Sequence, residues 1–125
     1  MRSTEKPLLW IGGSLKDLRA MPAEVRQFFG FVLSLAQAGD RHESTKVLHG
    51  FGGAGVLEII DDDANGTYRA VYTVKFPEAV YVLHCFQKKS KQGKSTPRLD
   101  MDLIHARLKM AQALAKVGMD ENTRH

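Results

Sequence analysis

The chain has 125 residues, of which 43% are hydrophobic and 26% charged, so we expect one domain that can bury a core without disulfides. The single cysteine, Cys85, excludes an intrachain disulfide and favours a reducing, cytoplasmic location. We expect no signal peptide, and no apolar run approaches the length of a membrane span. A net charge of +4 permits an anionic partner without requiring one.

The first third of the chain reads as one strand followed by two helices. Residues 8–11 form a short strand, after which Ser14 is expected to cap a short helix that reaches about Ala20. A second helix begins at Pro22 and ends at Gly39, a natural C-terminal stop. Its apolar side chains recur every three or four residues, at Val25, Phe28, Phe29, Val32, Leu35 and Ala36.

The middle of the chain predicts three strands joined by short turns. Residues 41–46 are polar and are expected to form a loop. Strands are predicted over 56–60, 67–75 and 79–87, and the Asn65-Gly66 pair is a strong signal for a hairpin between the first two. The last of these strands is apolar enough to lie centrally in a sheet.

The final third contains a basic loop, a helix and a tail. Residues 88–95 read KKSKQGKS, and Thr96-Pro97 predicts a helix start with Thr96 as the cap and Pro97 in the first position. Together these elements predict an α+β domain over residues 1–125: a small, mainly antiparallel twisted sheet with two N-terminal helices and one C-terminal helix, in the order βααβββα. Residues 1–7 and 117–125 are expected to be flexible tails.

The stretch GFGGAG at residues 50–55 matches the G-x-G-x-x-G pattern of dinucleotide-binding turns. Such a turn must follow a strand and open a helix, whereas this one follows a loop and opens a strand. The glycines are therefore interpreted as a requirement for positive φ angles or close backbone approach. We expect neither a cofactor nor a metal.

Alternation along the strand TYRAVYTVK places Tyr72 on one face and Arg69 on the other. If Tyr72 packs against the helices, Arg69 and Glu58 share an open face and can pair across strands. The pair is either a surface salt bridge of less than about 1 kcal/mol or a guanidinium oriented to hold a phosphate.

The basic loop is the second candidate feature. No acidic residue interrupts the cations between Glu78 and Asp100, and a helix N-terminus follows the loop. The basic loop is either a solvated lysine loop or an anion-binding rim. His84 on the preceding strand is either a packed histidine or a proton-transfer group. The residues that form the rim are Lys88, Lys89, Lys91, Lys94 and Arg98.

The strand GTYRAVYTV, the strand and loop VYVLHCFQKKSK, and the segment VLHGFGGAGVLEI resemble the RelE/ParE toxin superfamily, and in particular its phage-derived, HigB-like branch. The resemblance covers residues 8–114. It implies the toxin of a toxin–antitoxin pair that cleaves messenger RNA on the ribosome, with the RNA 2′-hydroxyl as the nucleophile and without a metal.

The resemblance also implies roles for particular residues. Arg69 is expected to contact the scissile phosphate, and Lys88 and Lys89 are expected either to stabilise charge in the transition state or to act as the acid. Glu58 or His84 is the candidate for proton transfer. The residues expected to bind neighbouring RNA are Lys75, Lys91, Lys94 and Arg98.

The expected partners are the ribosome with its mRNA and a helix-turn-helix antitoxin, and no membrane is involved. Two alternatives remain open at this point. One is a non-enzymatic, ParE-like inhibitor of DNA gyrase. The other is an inactive, phage-derived module that binds RNA or another partner.

Overall fold

The computed structural model describes residues 5–63, 66–88 and 95–123. Their strands and helices follow the order βααββββα, which confirms the α+β class with two N-terminal helices and one C-terminal helix. The sheet order is β1-β5-β4-β3-β2, with β1 parallel to β5 and all other neighbours antiparallel. The elements are β1 (Leu8–Trp10), α1 (Ser14–Arg19), α2 (Ala23–Gln37), β2 (Thr45–Val47), β3 (Val56–Asp63), β4 (Gly66–Thr73), β5 (Val80–Lys88) and α3 (Arg98–Thr123).

Strand β2 is the element that the sequence did not predict. Its residues fall at the end of the segment expected to be a loop, yet they pair with β3, and Lys46 lies directly opposite Glu58. The guanidinium of Arg41 donates to both the hydroxyl and the carbonyl oxygen of Thr45, which fixes the start of the strand. A three-residue edge strand held by backbone pairing leaves too little hydrophobic alternation to be recognised.

Helix boundaries differ from the prediction at the start of α1 and at the end of α3, and agree at the end of α2. Ser14 does not cap α1 but lies inside it, and its hydroxyl donates to the carbonyl of Val82 on the sheet at 3.1 Å. Helix α3 continues to Thr123, past the point where a tail was expected. Helix α2 ends as predicted, because Gly39 has a φ of 87° and the next amide, of Asp40, donates back to Leu35.

The sheet has helices on both faces. Alternation along β4 places Tyr72 against α1 and α2, which is the condition under which Arg69 was expected on the opposite face, in a core that includes Phe29, Val32, Leu57, Ile59 and Val82. The opposite face, which carries Arg69, was expected to be open. Instead α3 packs on it, and a second core forms from Val71, Tyr81, Leu83, Ile104 and Ala111. No helix in the described ranges is both long and apolar enough to cross a bilayer.

The glycine-rich stretch precedes β3 and does not open a helix. Three of its glycines, Gly50, Gly52 and Gly53, have positive φ angles of 102°, 74° and 154°. A Cβ atom on Gly55 would collide with the side chain of Lys75, whose ammonium group donates to the carbonyl of Phe51. Backbone conformation and close approach therefore account for the glycines, as the interpretation of the sequence expected.

Candidate functional site

A cavity of about 610 Å³ opens on the α3 side of the sheet, where the start of α3 leaves strands β2, β3 and β4 partly uncovered. We call it the Arg69 cavity. Its walls combine basic, acidic and apolar side chains from three strands and from the segment that leads into α3. The lining residues are Lys46, Val47, Leu48, His49, Glu58, Ile60, Asp62, Thr67, Arg69, Ser95, Thr96 and Met101.

Three side chains meet at the base of the Arg69 cavity. Nη1 of Arg69 lies 3.4 Å from Oε2 of Glu58 and donates at 3.4 Å to the hydroxyl of Thr96. That hydroxyl in turn donates to Oε2 of Glu58 at 3.0 Å. Arg69 and Glu58 are only 3% and 5% exposed, so the expectation that they lie on an open face was wrong, because α3 covers that face. Arg69 therefore forms part of the cavity floor, and its guanidinium is contacted there by Glu58 and Thr96.

Thr96 does not have the capping role that the sequence suggested. The first helical amide, of Met101, donates to the carbonyl of Pro97, which makes Pro97 the N-cap, and α3 begins at Arg98. The hydroxyl of Thr96 is directed to Glu58 instead. The segment before α3 is thereby attached to the sheet at the Arg69 cavity.

Among the lysines of the basic loop, Lys88 falls within the described residues, and it lies near the Arg69 cavity. It is the last residue of β5 and pairs with Thr67, which places it on the same face as Arg69 and about 8 Å away diagonally. Its ammonium group donates to the carbonyl of Ser95 at 3.0 Å. Arg98 is exposed at the start of α3. Lys89, predicted to be catalytic, and Lys91 and Lys94, predicted to bind neighbouring RNA, lie outside the described residues.

Lys75 lies apart from the other predicted residues. It follows the opposite end of β4, about 20 Å along the strand direction from Arg69, and is bound to the glycine-rich loop through Phe51. The structure does not bring it to the Arg69 cavity.

His84 does not line the Arg69 cavity, but the register places it diagonally across from Arg69, about 8 Å away, as it does Lys88. A β-bulge between Val71 and Tyr72 turns His84 toward α3, where it is 6% exposed. Its Nε2 is 2.7 Å from Oδ1 of Asp100, and its ring stacks on Phe86. These contacts join β5 to α3 through His84.

Lys46 and His49 are cavity residues that the sequence analysis did not single out. Both are exposed. Lys46 belongs to strand β2, which the sequence did not predict, and His49 comes two residues after the end of that strand. Had the strand been recognised, its alternation would have placed Lys46 on the face of Glu58, its partner in the register. No comparable signal in the sequence points to His49.

The Arg69 cavity is lined by charged groups of both signs and by one imidazole. Its cations are Lys46 and Arg69, and its carboxylates are Glu58 and Asp62. Its imidazole is that of His49, and histidine is the side-chain type that transfers protons most readily near neutral pH. Within the described part of the chain, no three His, Cys, Asp or Glu side chains are grouped closely enough to hold a metal ion.

The sequence of the chain matches the family model described as phage-derived protein Gp49-like (DUF891) over residues 16–109. The chain belongs to this family. The matched range runs from α1 to the middle of α3 and includes every described residue of the Arg69 cavity. The Gp49-like proteins are a phage-derived family related to the RelE and HigB toxins, so membership suggests a RelE-like toxin. A comparison with curated proteins finds no match.

Proposed function

We propose that this Gp49-like protein is a HigB-like toxin that cleaves messenger RNA on the ribosome. The observation that carries the proposal is the position of Arg69, which is held by Glu58 and Thr96 and faces a cavity large enough for a nucleotide. An arginine oriented in this way is suited to hold a phosphate through two parallel hydrogen bonds.

In the proposed reaction the 2′-hydroxyl of the RNA attacks the adjacent phosphate. The P–O bond to the 5′-oxygen of the next nucleotide breaks, and a 2′,3′-cyclic phosphate remains. Negative charge grows on the phosphate oxygens during the attack, and Arg69 stabilises it from the floor of the cavity. Lys88 and Lys46 are the described lysines near enough to contribute, and we assign the same role to Lys89.

A base must accept the 2′-hydroxyl proton and an acid must protonate the leaving oxygen. Glu58 already accepts hydrogen bonds from Thr96 and Arg69 through Oε2, which makes orientation of the arginine its better role. His49 is exposed on the cavity wall and offers an imidazole for proton transfer. We therefore propose His49, ahead of Glu58 and His84, as the residue that moves the proton.

Brief induction of the protein followed by primer extension on abundant mRNAs tests the function directly. We expect new 5′ ends inside translated codons and none in untranslated regions. Arg69→Lys should lower the cleavage rate about 100-fold, because an ammonium group cannot form the paired hydrogen bonds of a guanidinium. Arg26→Ala, which removes an exposed arginine of α2, is the matched control and should cleave normally.

Two results would contradict this proposal in different ways. Intact messages together with inhibition of purified gyrase in a supercoiling assay would favour a ParE-like inhibitor. Intact messages and unimpaired growth would favour an inactive module that binds RNA or a partner.

We further propose that a helix-turn-helix antitoxin neutralises the protein. Co-expression of the product of the neighbouring gene should restore growth and form a complex that survives gel filtration. A neighbour that neither binds the protein nor restores growth would remove this part of the proposal.

A further inference from the structure

The contact between Thr96 and Arg69 joins two parts of the Arg69 cavity that are 27 residues apart in the chain. The hydroxyl of Thr96 accepts from Nη1 of Arg69 and donates to Oε2 of Glu58 at the same time. A hydroxyl is the smallest side-chain group that can do both, since it carries one proton and two lone pairs. We infer that Thr96 is a positioning residue that fixes the guanidinium of Arg69 for phosphate binding, an inference that rests on the proposed RNA cleavage.

The ion pair between Arg69 and Glu58 is long, and Thr96 adds a contact to each of its partners. The Arg69–Glu58 distance of 3.4 Å is long for a charge-assisted hydrogen bond, which is usually about 2.7–2.9 Å. The hydroxyl of Thr96 is also 3.4 Å from Nη1, and the shortest of the three contacts is the 3.0 Å hydrogen bond from that hydroxyl to Glu58, which holds the two acceptors of Nη1 together. Thr96 supplies a second acceptor for the same nitrogen, so Nη1 donates to one oxygen from strand β3 and to one from the segment before α3.

Thr96 is itself held from both sides. The carbonyl of the preceding Ser95 accepts a hydrogen bond from Lys88 at the end of β5, and the following Pro97 has a restricted φ and begins the capping of α3. The basic loop therefore returns to the sheet at a defined point beside the arginine. Movement of this point would move the hydroxyl and, through it, the guanidinium.

Cleavage by purified protein on ribosomes programmed with a defined mRNA tests the inference, using Thr96→Val, Thr96→Ser and the wild type. Valine keeps the shape of threonine but can neither donate nor accept, so kcat should fall about tenfold while KM stays within about twofold. Serine keeps the hydroxyl and should restore most of the rate. Equal rates for valine and wild type, or an equally slow serine variant, would overturn the role of the hydroxyl.

Thr73→Val is the matched control for stability. Thr73 is a fully buried threonine of the same strand as Arg69, about 13 Å away, and its hydroxyl donates to the carbonyl of Gly55. Its replacement should lower stability in a urea titration without changing kcat. A loss of kcat as large as that of Thr96→Val would show that general destabilisation explains both, and would overturn the inference.

A second measurement does not depend on cleavage. The rate of rotation about the Nε–Cζ bond of Arg69, measured by ¹⁵N NMR of its side chain, should rise in Thr96→Val and return to the wild-type value in Thr96→Ser. If the wild type cuts no mRNA, the proposed function fails, and this rate still decides whether Thr96 holds the arginine. An unchanged rate in the valine variant would overturn the inference on its own.

Discussion

Nε2 of His84 lies 2.7 Å from Oδ1 of Asp100, and this hydrogen bond connects β5 to the first turn of α3. The side chain of His84 is 7% exposed and that of Asp100 26%, so solvent screens the contact only partly. Arg107, two turns further along α3, donates to the carbonyl of Leu83 beside the same histidine. The start of α3 is thus attached to the sheet at His84 as well as at Glu58.

The first prediction concerns the contribution of this pair to stability. Asp100→Asn should lower the free energy of unfolding by about 1.5 kcal/mol, because it weakens a largely buried, charge-assisted hydrogen bond. Asp102→Asn is the matched control, since Asp102 is exposed in the same helical turn and its change should stay within about 0.5 kcal/mol. Urea denaturation measures both. Equal losses would show that charge at the helix N-terminus, and not the contact with His84, matters.

The division of residues between the two faces of β4 could be predicted from sequence because a strand alternates with a fixed period. Tyr72 and Arg69 lie on opposite faces for that reason alone. Which of the two faces a distant helix covers depends on packing between elements far apart in the chain. The sequence therefore predicted correctly that Arg69 lies on the face of the sheet opposite α2. It did not show that α3 covers that face.

The floor of the candidate site was predictable in part, and its walls were not. Arg69 and Glu58 belong to long strands with clear alternation, and their pairing across strands follows from the hairpin. Lys46 reaches the cavity from a three-residue edge strand that is held by backbone hydrogen bonds, and His49 reaches it from the loop that follows this strand. Thr96 precedes a proline at a helix start, so the sequence indicates a helix cap. Its hydrogen bond to Glu58 depends on tertiary structure and could not be predicted.

The second prediction concerns the interaction energy between the buried charges of Arg69 and Glu58. Arg69→Met should lower the free energy of unfolding by about 3 kcal/mol, because it leaves the Glu58 carboxylate buried without its cation. The double variant Arg69→Met/Glu58→Leu should recover most of that loss. A double-mutant cycle in urea measures the coupling. Strictly additive losses would mean that the two charges do not interact.

The third prediction uses two glycines in contrasting backbone conformations. Gly30 lies on the exposed side of α2, and nothing is within 4 Å of the position of a Cβ atom, so Gly30→Ala should stabilise the protein by about 0.8 kcal/mol. Gly39 has a φ of 87°, so Gly39→Ala should destabilise it by about 1 kcal/mol. Thermal or urea unfolding of the two variants should therefore shift in opposite directions. Shifts of the same sign would contradict the assignment of the α2 terminus.

The fourth prediction follows from the environment of Cys85, which is 1% exposed in the core beneath α1. Burial, with a smaller effect of Asp17, raises the pKa of its thiol from 9.0 to about 12. A thiol is neutral when protonated, so the folded state keeps its proton at pH values where the unfolded state has lost it. The folded protein should not react with a thiol reagent at pH 8, whereas the urea-unfolded protein should react at once.

The same shift in pKa makes stability depend on pH in a defined window. The contribution of Cys85 is fully present below about pH 9 and is lost as the pH rises toward 12, at no more than about 1.4 kcal/mol per pH unit. Tyr72 and Tyr81, whose pKa values burial also raises from 10.0, add to the decline in every variant. Cys85→Ala should be less stable than the wild type at pH 8. Because it lacks the thiol, it should lose stability less steeply than the wild type between pH 9 and 11. Urea titrations at each pH measure the two slopes, and parallel curves would show that the thiol ionises equally in the folded and unfolded states.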